Sequence, residues 1–150
     1  MKSPISILLL IPIFSSCASP SKSELDAEVT RLCAIDGGVR VYETVRLPAE
    51  KYNKLLDAFG RLWIPSDESL KLEDEYYYKR EHFYYKKGNP ELSSSRHKII
   101  RRSDGKILGE SIRYARGGGD FPGPWHDSTY ICPDPTSQPS LESSIFLKGE

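Results

Sequence analysis

The sequence predicts an α+β fold: an antiparallel sheet of about four strands, with an N-terminal helix packed on one face and one disulfide. Three observations support this prediction. Apolar residues recur at helical spacing after residue 24, later segments alternate aliphatic and polar residues, and Asp104-Gly105 marks a tight turn between two such segments. The 150 residues suffice for one domain, which we place at residues 24–132.

Composition narrows the function classes before any motif is considered. The chain carries 21 Lys and Arg against 21 Asp and Glu, so it lacks the basic excess typical of a nucleic-acid-binding domain. Its content of 38% hydrophobic and 28% charged residues is typical of a globular domain, and neither of a disordered tail nor of a multi-span membrane protein. We therefore expect no nucleic-acid partner.

The first 16 residues have the three-part layout of a secretory signal peptide. Lys2 gives a positive start, residues 5–14 are almost wholly apolar, and small residues follow. This apolar run is about half of the roughly 20 residues that a membrane-spanning helix needs. We predict that residues 1–16 form a signal peptide that is removed on export.

The end of this segment, Phe14-Ser15-Ser16-Cys17, resembles the lipobox of bacterial lipoproteins, although Phe14 replaces the usual Leu. The resemblance implies cleavage before Cys17 and acylation of that residue, so that lipid chains anchor the domain to a membrane. Ala18, rather than Asp, follows the cysteine, which by the same resemblance implies sorting to the outer membrane, facing the periplasm. The alternative is ordinary cleavage after Ala18.

Cysteine counting predicts a disulfide. If Cys17 carries lipid at the head of a flexible tether over residues 17–23, then Cys33 and Cys132 remain as a pair in an oxidising compartment. Their bridge would close a loop of roughly 100 residues, which the chain-entropy model values at up to about 4.7 kcal/mol. The alternative role of Cys33, a catalytic nucleophile, lacks a histidine nearby in the sequence.

The first half of the domain contains a helix, a strand and a second helix. Leu25, Val29 and Cys33 share one helical face, which predicts a helix over about residues 24–35. Residues 39–47 alternate aliphatic and polar side chains and predict one strand. Pro48 ends that strand and opens a short helix, and the segment from 61 to 71 is expected to be irregular.

Two long segments then predict strands. Residues 75–86 are rich in aromatics on both faces, which indicates a cross-strand ladder or a recognition platform. The segment from 95 to 116 predicts a hairpin around Asp104-Gly105. A two-residue loop would pair Ile99 with Glu110 and place the basic side chains on one face, whereas a bulged turn would shift that register by one.

This predicted basic face is the candidate binding surface. It comprises Arg96, Lys98, Arg102 and Arg113, with Arg116 beyond it, and Trp125 lies in the turn-rich loop that follows. Spaced cations on a sheet face could bind acidic groups of a cell-wall polymer, a glycolipid or an envelope protein. The alternative interpretation is a solvated face whose charges protect the sheet from aggregation.

The remaining motifs indicate no cofactor and no metal site. Residues 133–150 are predicted as a polar tail in which residues 145–147 could dock as an edge strand. His82, His97 and His126 lack metal-ligand spacing, and the glycines at 117–119 lack the Lys and Ser/Thr of a phosphate-binding loop. We expect no enzyme, and the competing hypothesis is a hydrolase that uses His126 with Asp120 or Asp127.

Three phrases carry a wider resemblance: residues 36–43, residues 102–106 and residues 119–126 are similar to segments of small lipoproteins of Gram-negative bacteria. The resemblance implies class and location and brings no activity. We therefore expect a lipid-anchored, non-enzymatic binding or structural module of the cell envelope. The alternative is an inhibitor or immunity protein that blocks a secreted enzyme attacking the cell wall.

Overall fold

The computed structural model describes residues 20–121, 123–124 and 128–149. The helices are α1 (Lys22–Asp36), α2 (Ala49–Lys54) and α3 (Leu141–Ile145), with a short 3-10 turn at Asp67–Ser69. The strands are β1 (Gly38–Val41), β2 (Val45–Leu47), β3 (Tyr76–Lys86), β4 (Glu91–Arg101), β5 (Ile107–Gly117), β6 (Thr129–Cys132) and β7 (Phe146–Lys148). The predicted α+β class is confirmed.

The main sheet is antiparallel and has the strand order β1-β5-β4-β3, with β6 also paired to β5. Gly38 of β1 lies opposite Ile112, whereas Cys132 of β6 lies opposite Tyr114, so β1 and β6 follow one another along the same edge of β5. Five strands therefore make a sheet that is four strands wide at any point, in agreement with the prediction of about four.

The strand predicted over residues 39–47 is two strands in different sheets. β1 joins the main sheet, and β2 pairs in parallel with β7 in a separate two-stranded sheet. The chain leaves the main sheet where the N–H groups of Tyr42 and Glu43 both donate to the carbonyl oxygen of Leu108, at 2.8 and 3.0 Å. The prediction of a single strand is wrong because an alternating pattern does not reveal such a bend.

The hairpin turn lies where it was predicted, but the predicted register is wrong by one residue. Ile99 lies opposite Gly109 rather than Glu110, and a bulge follows it, since Ile100 lies opposite Ile107. The turn is longer than two residues: the N–H of Arg101 donates to the carbonyl oxygen of Lys106, and Gly105 has a φ of +68°. This shift changes which side chains share a face.

The two faces of the sheet are covered by different layers. The α1 face carries Leu92, Ile112 and Tyr114, which pack against Leu25 and Val29 of α1. The α3 face carries Ile99 and Leu108, which pack with a larger apolar cluster. The other buried members of that cluster are Leu47, Ile64, Leu141, Ile145 and Phe146.

Helix α1 begins at Lys22, two residues before the predicted start at about residue 24, and Ser21 and Glu24 form its capping box. Its C-terminal half is joined to β6 by the predicted Cys33–Cys132 disulfide, with an S–S distance of 2.04 Å and a Cα–Cα distance of 5.9 Å. The prediction of one disulfide is confirmed. None of the helices in the described segments is of a length and apolarity that could span a membrane.

The segment that follows Cys132 belongs to the fold. Ile145 and Phe146, in α3 and β7, are 0% and 1% exposed, and the Phe146 ring contacts Tyr76 edge to face at 4.9 Å. Leu141, Ile145 and Phe146, which lie in the segment predicted as a polar tail, therefore belong to the core. The edge strand considered for residues 145–147 is found one residue later as β7, which pairs with β2.

Candidate functional site

Helix α1 packs on β5 and β6 and leaves β3 open on the same face of the sheet. Phe83 and Tyr85 of β3 consequently remain 59% and 47% exposed. Their rings contact each other edge to face at 4.8 Å, and Tyr85 lies 6.0 Å from the buried ring of Tyr114. A row of aromatic rings thus runs from the core to the surface of β3.

Beside these rings lies a cleft of about 350 Å³, which we call the Arg96 cleft. Its floor is on β4 and β5, and its walls come from β3 and from the C-terminal end of α1. Its lining includes the side chains of Asp36, Glu81, Phe83, Tyr85, Arg96 and Tyr114.

Arg96 lies between two carboxylates without bonding to either of them. Its guanidinium nitrogens are 3.8 Å from Asp36 and 3.6 Å from Glu110. These distances suit ion pairing and are too long for a hydrogen bond. Among the described residues no hydrogen-bond acceptor engages this guanidinium, whose side chain is 40% exposed. Its donors therefore remain open to a ligand.

The two carboxylates are instead held by tyrosine hydroxyl groups. The hydroxyl of Tyr114 donates to Asp36 at 2.6 Å, and that of Tyr42 donates to Glu110 at 2.5 Å. Burial and the bond to Asp36 raise the pKa of Tyr114 well above its usual value. The bond to Glu110, followed by burial, raises the pKa of Tyr42. Both hydroxyls therefore stay protonated at neutral pH and fix the carboxylates on either side of Arg96.

Lys98 extends the polar part of this surface toward β3. Its ammonium donates to both carboxylate oxygens of Glu81 at 2.9 Å. This hydrogen bond lowers the pKa of Glu81. Lys98 is thus neutralised by its neighbour on β3, whereas Arg96 keeps free donors.

The other predicted binding residues are not on this face. Because of the shifted register, Arg113 lies opposite Ser95 and points to the α3 face. Arg102 is in the hairpin turn and donates to the carbonyl oxygens of Lys71 and Leu72 at 2.6 and 3.0 Å. Of the four predicted cations, the structure brings together Arg96 and Lys98.

Arg116, expected just beyond the basic face, is buried. Its guanidinium donates to Asp26 of α1 at 2.8 Å and to the carbonyl oxygens of Gly118 and Ser128. Arg116 therefore fastens α1 and the loop after β5 to the sheet and is not part of an exposed surface. Trp125 and Cys17 lie outside the described residues.

A second cluster occupies the α3 face, where His97 stacks against Tyr78 at 6.2 Å. Burial lowers the pKa of His97, and the nearby Arg80 and Arg113 lower it further, while Glu142 acts in the opposite direction. The imidazole is therefore neutral at pH 7 and packs as a partly buried ring.

The described residues contain no group of three or more His, Cys, Asp or Glu side chains arranged to hold a metal ion. Of the hydrolase hypothesis, His126 and Asp127 lie outside the described residues. Asp120 accepts hydrogen bonds from Lys22 and from the N–H of Ser128, each at 2.5 Å. These bonds hold the pKa of Asp120 far below its usual value.

Sequence reasoning missed Asp36, Glu110 and Tyr114, the groups that surround Arg96. The strand pattern gave no sign of Asp36, because it lies at the end of a helix that folds back over the sheet. Comparisons with protein-family models, with curated proteins and with solved structures found no match.

Proposed function

We propose that this protein is an outer-membrane lipoprotein, anchored through acylated Cys17 and facing the periplasm, that acts as a non-enzymatic binding module. The Arg96 cleft binds an acidic group of a cell-wall polymer. The observation that carries this proposal is the guanidinium of Arg96, which has no hydrogen-bond partner among the described residues and lies beside two exposed aromatic rings.

The chemistry of the cleft favours a carboxylate or phosphate attached to a larger, partly apolar ligand. A guanidinium presents paired donors that match the two oxygens of such a group. Phe83 and Tyr85 offer flat apolar surface next to it, and pockets of this kind orient a ligand through a few polar groups. The carboxylates of Asp36 and Glu110 set the selectivity, because they repel an anion that is not aligned with Arg96.

The position of the cleft on α1 favours a cell-wall polymer over a lipid of the anchoring membrane. Five Cα steps separate Cys17 from Lys22 at the start of α1, a reach of at most about 18 Å. The cleft lies at the other end of this 15-residue helix, about 21 Å further along its axis. With Cys17 as the anchor, the helix start is held near the membrane and the cleft can point away from it.

The binding test uses the full chain in detergent and purified insoluble cell-wall polymer, with bound protein measured after pelleting. We expect Arg96→Gln to weaken binding by about 10- to 100-fold, the equivalent of one lost charge-assisted hydrogen-bond pair. Arg113→Gln is the matched control, since it removes the same charge from the opposite face. Equal binding by the two variants would contradict the assignment of the cleft.

The anchor is tested separately by mass spectrometry of the mature protein purified from membranes. We expect a chain that begins at Cys17 and carries acyl mass, and a Cys17→Ser variant that leaves the membrane fraction but still pellets with polymer. An unacylated chain with Met1 intact would refute the anchor. Capture of a cell-wall-cleaving enzyme instead of polymer would support the inhibitor alternative.

A further inference from the structure

Strand β3 has an outer edge that no described strand pairs with over most of its length. Its inner edge pairs with β4 from Tyr76 to Lys86, with a bulge between Tyr84 and Lys86. Only the start of the outer edge is occupied, where the N–H of Tyr78 donates to the carbonyl oxygen of Pro65 at 2.9 Å. Within the described parts of the chain, no strand pairs with the outer edge of residues 79–85.

The direction of the free backbone groups follows from this single bond. In an antiparallel strand, alternate residues direct both their N–H and C=O groups to the same edge. Because the backbone N–H of Tyr78 is directed to the outer edge, the backbone N–H and C=O groups of Arg80, His82 and Tyr84 are directed to the same edge. Three N–H and three C=O groups thus form an unpaired ladder on an exposed strand, which is a template for another strand.

We infer that this edge pairs with the same edge of a second copy of the chain, antiparallel and about a twofold axis at His82. In this arrangement His82 lies opposite His82 of the second copy, and Arg80 lies opposite its Tyr84. The three outward residues of each copy then form six backbone hydrogen bonds, and the two sheets become one continuous sheet.

Charge complementarity selects this register among the possible twofold pairings. With His82 at the centre, the guanidinium of each Arg80 meets an aromatic ring, a favourable cation–π geometry. Lys79, which precedes Arg80, lies opposite Tyr85 of the second copy, so that its ammonium also comes next to an aromatic ring. Arg80 and Lys79, two cations that would protect a lone edge from pairing, therefore lie opposite rings in this register, and Lys87 also contacts the Tyr84 ring of its own chain at 5.7 Å.

Neighbouring registers lack this match. A centre at Glu81 would put two carboxylates directly opposite each other, which is unfavourable in a sheet. A centre at Phe83 would place Arg80 opposite Lys86. A centre at Arg80 would oppose two guanidiniums and would need the part of the edge that Pro65 already occupies.

The pairing is tested by disulfide cross-linking of full-length chains with single cysteine substitutions. In a hydrogen-bonded antiparallel pair the Cα atoms are about 5.5 Å apart, within the range that a disulfide spans. His82→Cys should therefore give a covalent dimer on a non-reducing gel that disappears on reduction. Arg80→Cys is the matched control, because its two copies would lie about 14 Å apart along the strand.

Two further variants test the register and the pairing itself. Arg80→Cys combined with Tyr84→Cys should restore the dimer, since these positions face each other. His82→Pro removes an outward N–H and no internal bond, so the chain should stay folded by thermal unfolding and sediment as a monomer. Equal cross-linking of His82→Cys and Arg80→Cys, or a monomeric wild-type chain, would overturn the inference. All of these variants are made in a Cys17→Ser background, so that no outcome depends on acylation of Cys17 or on the Arg96 cleft.

Discussion

The two layers that cover the sheet are held by different kinds of interaction. On the α1 face, the helix is attached by the Cys33–Cys132 disulfide and by the ion pair between Asp26 and the buried Arg116. On the α3 face, the covering segments are attached by apolar contact, with Ile145 and Phe146 at the centre of the larger cluster.

The difference reflects how much apolar surface each layer can bury. Helix α1 contributes two buried side chains, Leu25 and Val29, and full burial of such a side chain is worth about 1.5–3 kcal/mol. The α3 face gathers seven buried apolar residues from five parts of the chain. The disulfide and the buried ion pair thus supplement a small apolar stripe on α1.

The largest effect should follow removal of the disulfide through Cys33→Ser with Cys132→Ser. The bridge closes a loop across a sequence separation of 99 residues, and the chain-entropy model gives such a loop about 4.7 kcal/mol. We expect urea unfolding to show a loss of that order in the free energy of unfolding. Hydrogen exchange should quicken most in α1, while the β4–β5 hairpin keeps its protection.

A matched measurement is the wild-type chain in reductant, which should behave like the double variant. A reduced chain that keeps the stability and the exchange pattern of the oxidised chain would contradict the comparison, because α1 would then be held by packing alone.

The parts of the fold that local pattern determines were predictable from the sequence. The spacing of Leu25, Val29 and Cys33 predicted α1, and the cysteine count predicted its link to β6. The hairpin register was not predictable, because the Asp-Gly pattern does not indicate the bulge that follows Ile99. The shift of one residue in the β4–β5 register places Arg113 on the α3 face instead of the face that carries Arg96.

The candidate site was predictable only in part. Arg96 and Lys98 were singled out because they are basic residues on one strand. Their different states depend on partners far away in sequence: Glu81 neutralises Lys98, whereas Asp36 and Glu110 stop short of bonding Arg96. The N···O distance in the hydrogen-bonded pair of Lys98 and Glu81 is less than 1 Å shorter than the distances from Arg96 to its two carboxylates. The spacing of residues in a sequence cannot predict so small a difference.

The next effect in size tests the apolar layer. Phe146→Ala should lower the free energy of unfolding by about 3–5 kcal/mol, because it removes a fully buried ring and leaves a cavity. Phe59→Ala is the matched control: this ring is 82% exposed, and the change should stay within about 0.5 kcal/mol. Equal effects at the two positions in denaturant titrations would show that Phe146 does not contribute to the stability of the core.

The smallest expected effect is the pH dependence of folding stability that arises from His97. This side chain lies on the α3 face, so the effect belongs to that layer and not to the α1 layer. Burial and the charges of Arg80 and Arg113 lower its pKa, so the folded chain keeps it neutral where the unfolded chain protonates it. The unfolded state then binds more protons below the usual histidine pKa of about 6.5, and stability falls as the pH decreases through that value.

His97→Gln should remove this decline between about pH 6.5 and 5. His82→Gln, on the neighbouring strand and exposed in the single chain, should retain the decline when the measurement is made at a protein concentration that keeps the chain monomeric. If instead it flattens the profile as much as His97→Gln does, the buried ring of His97 is not its source.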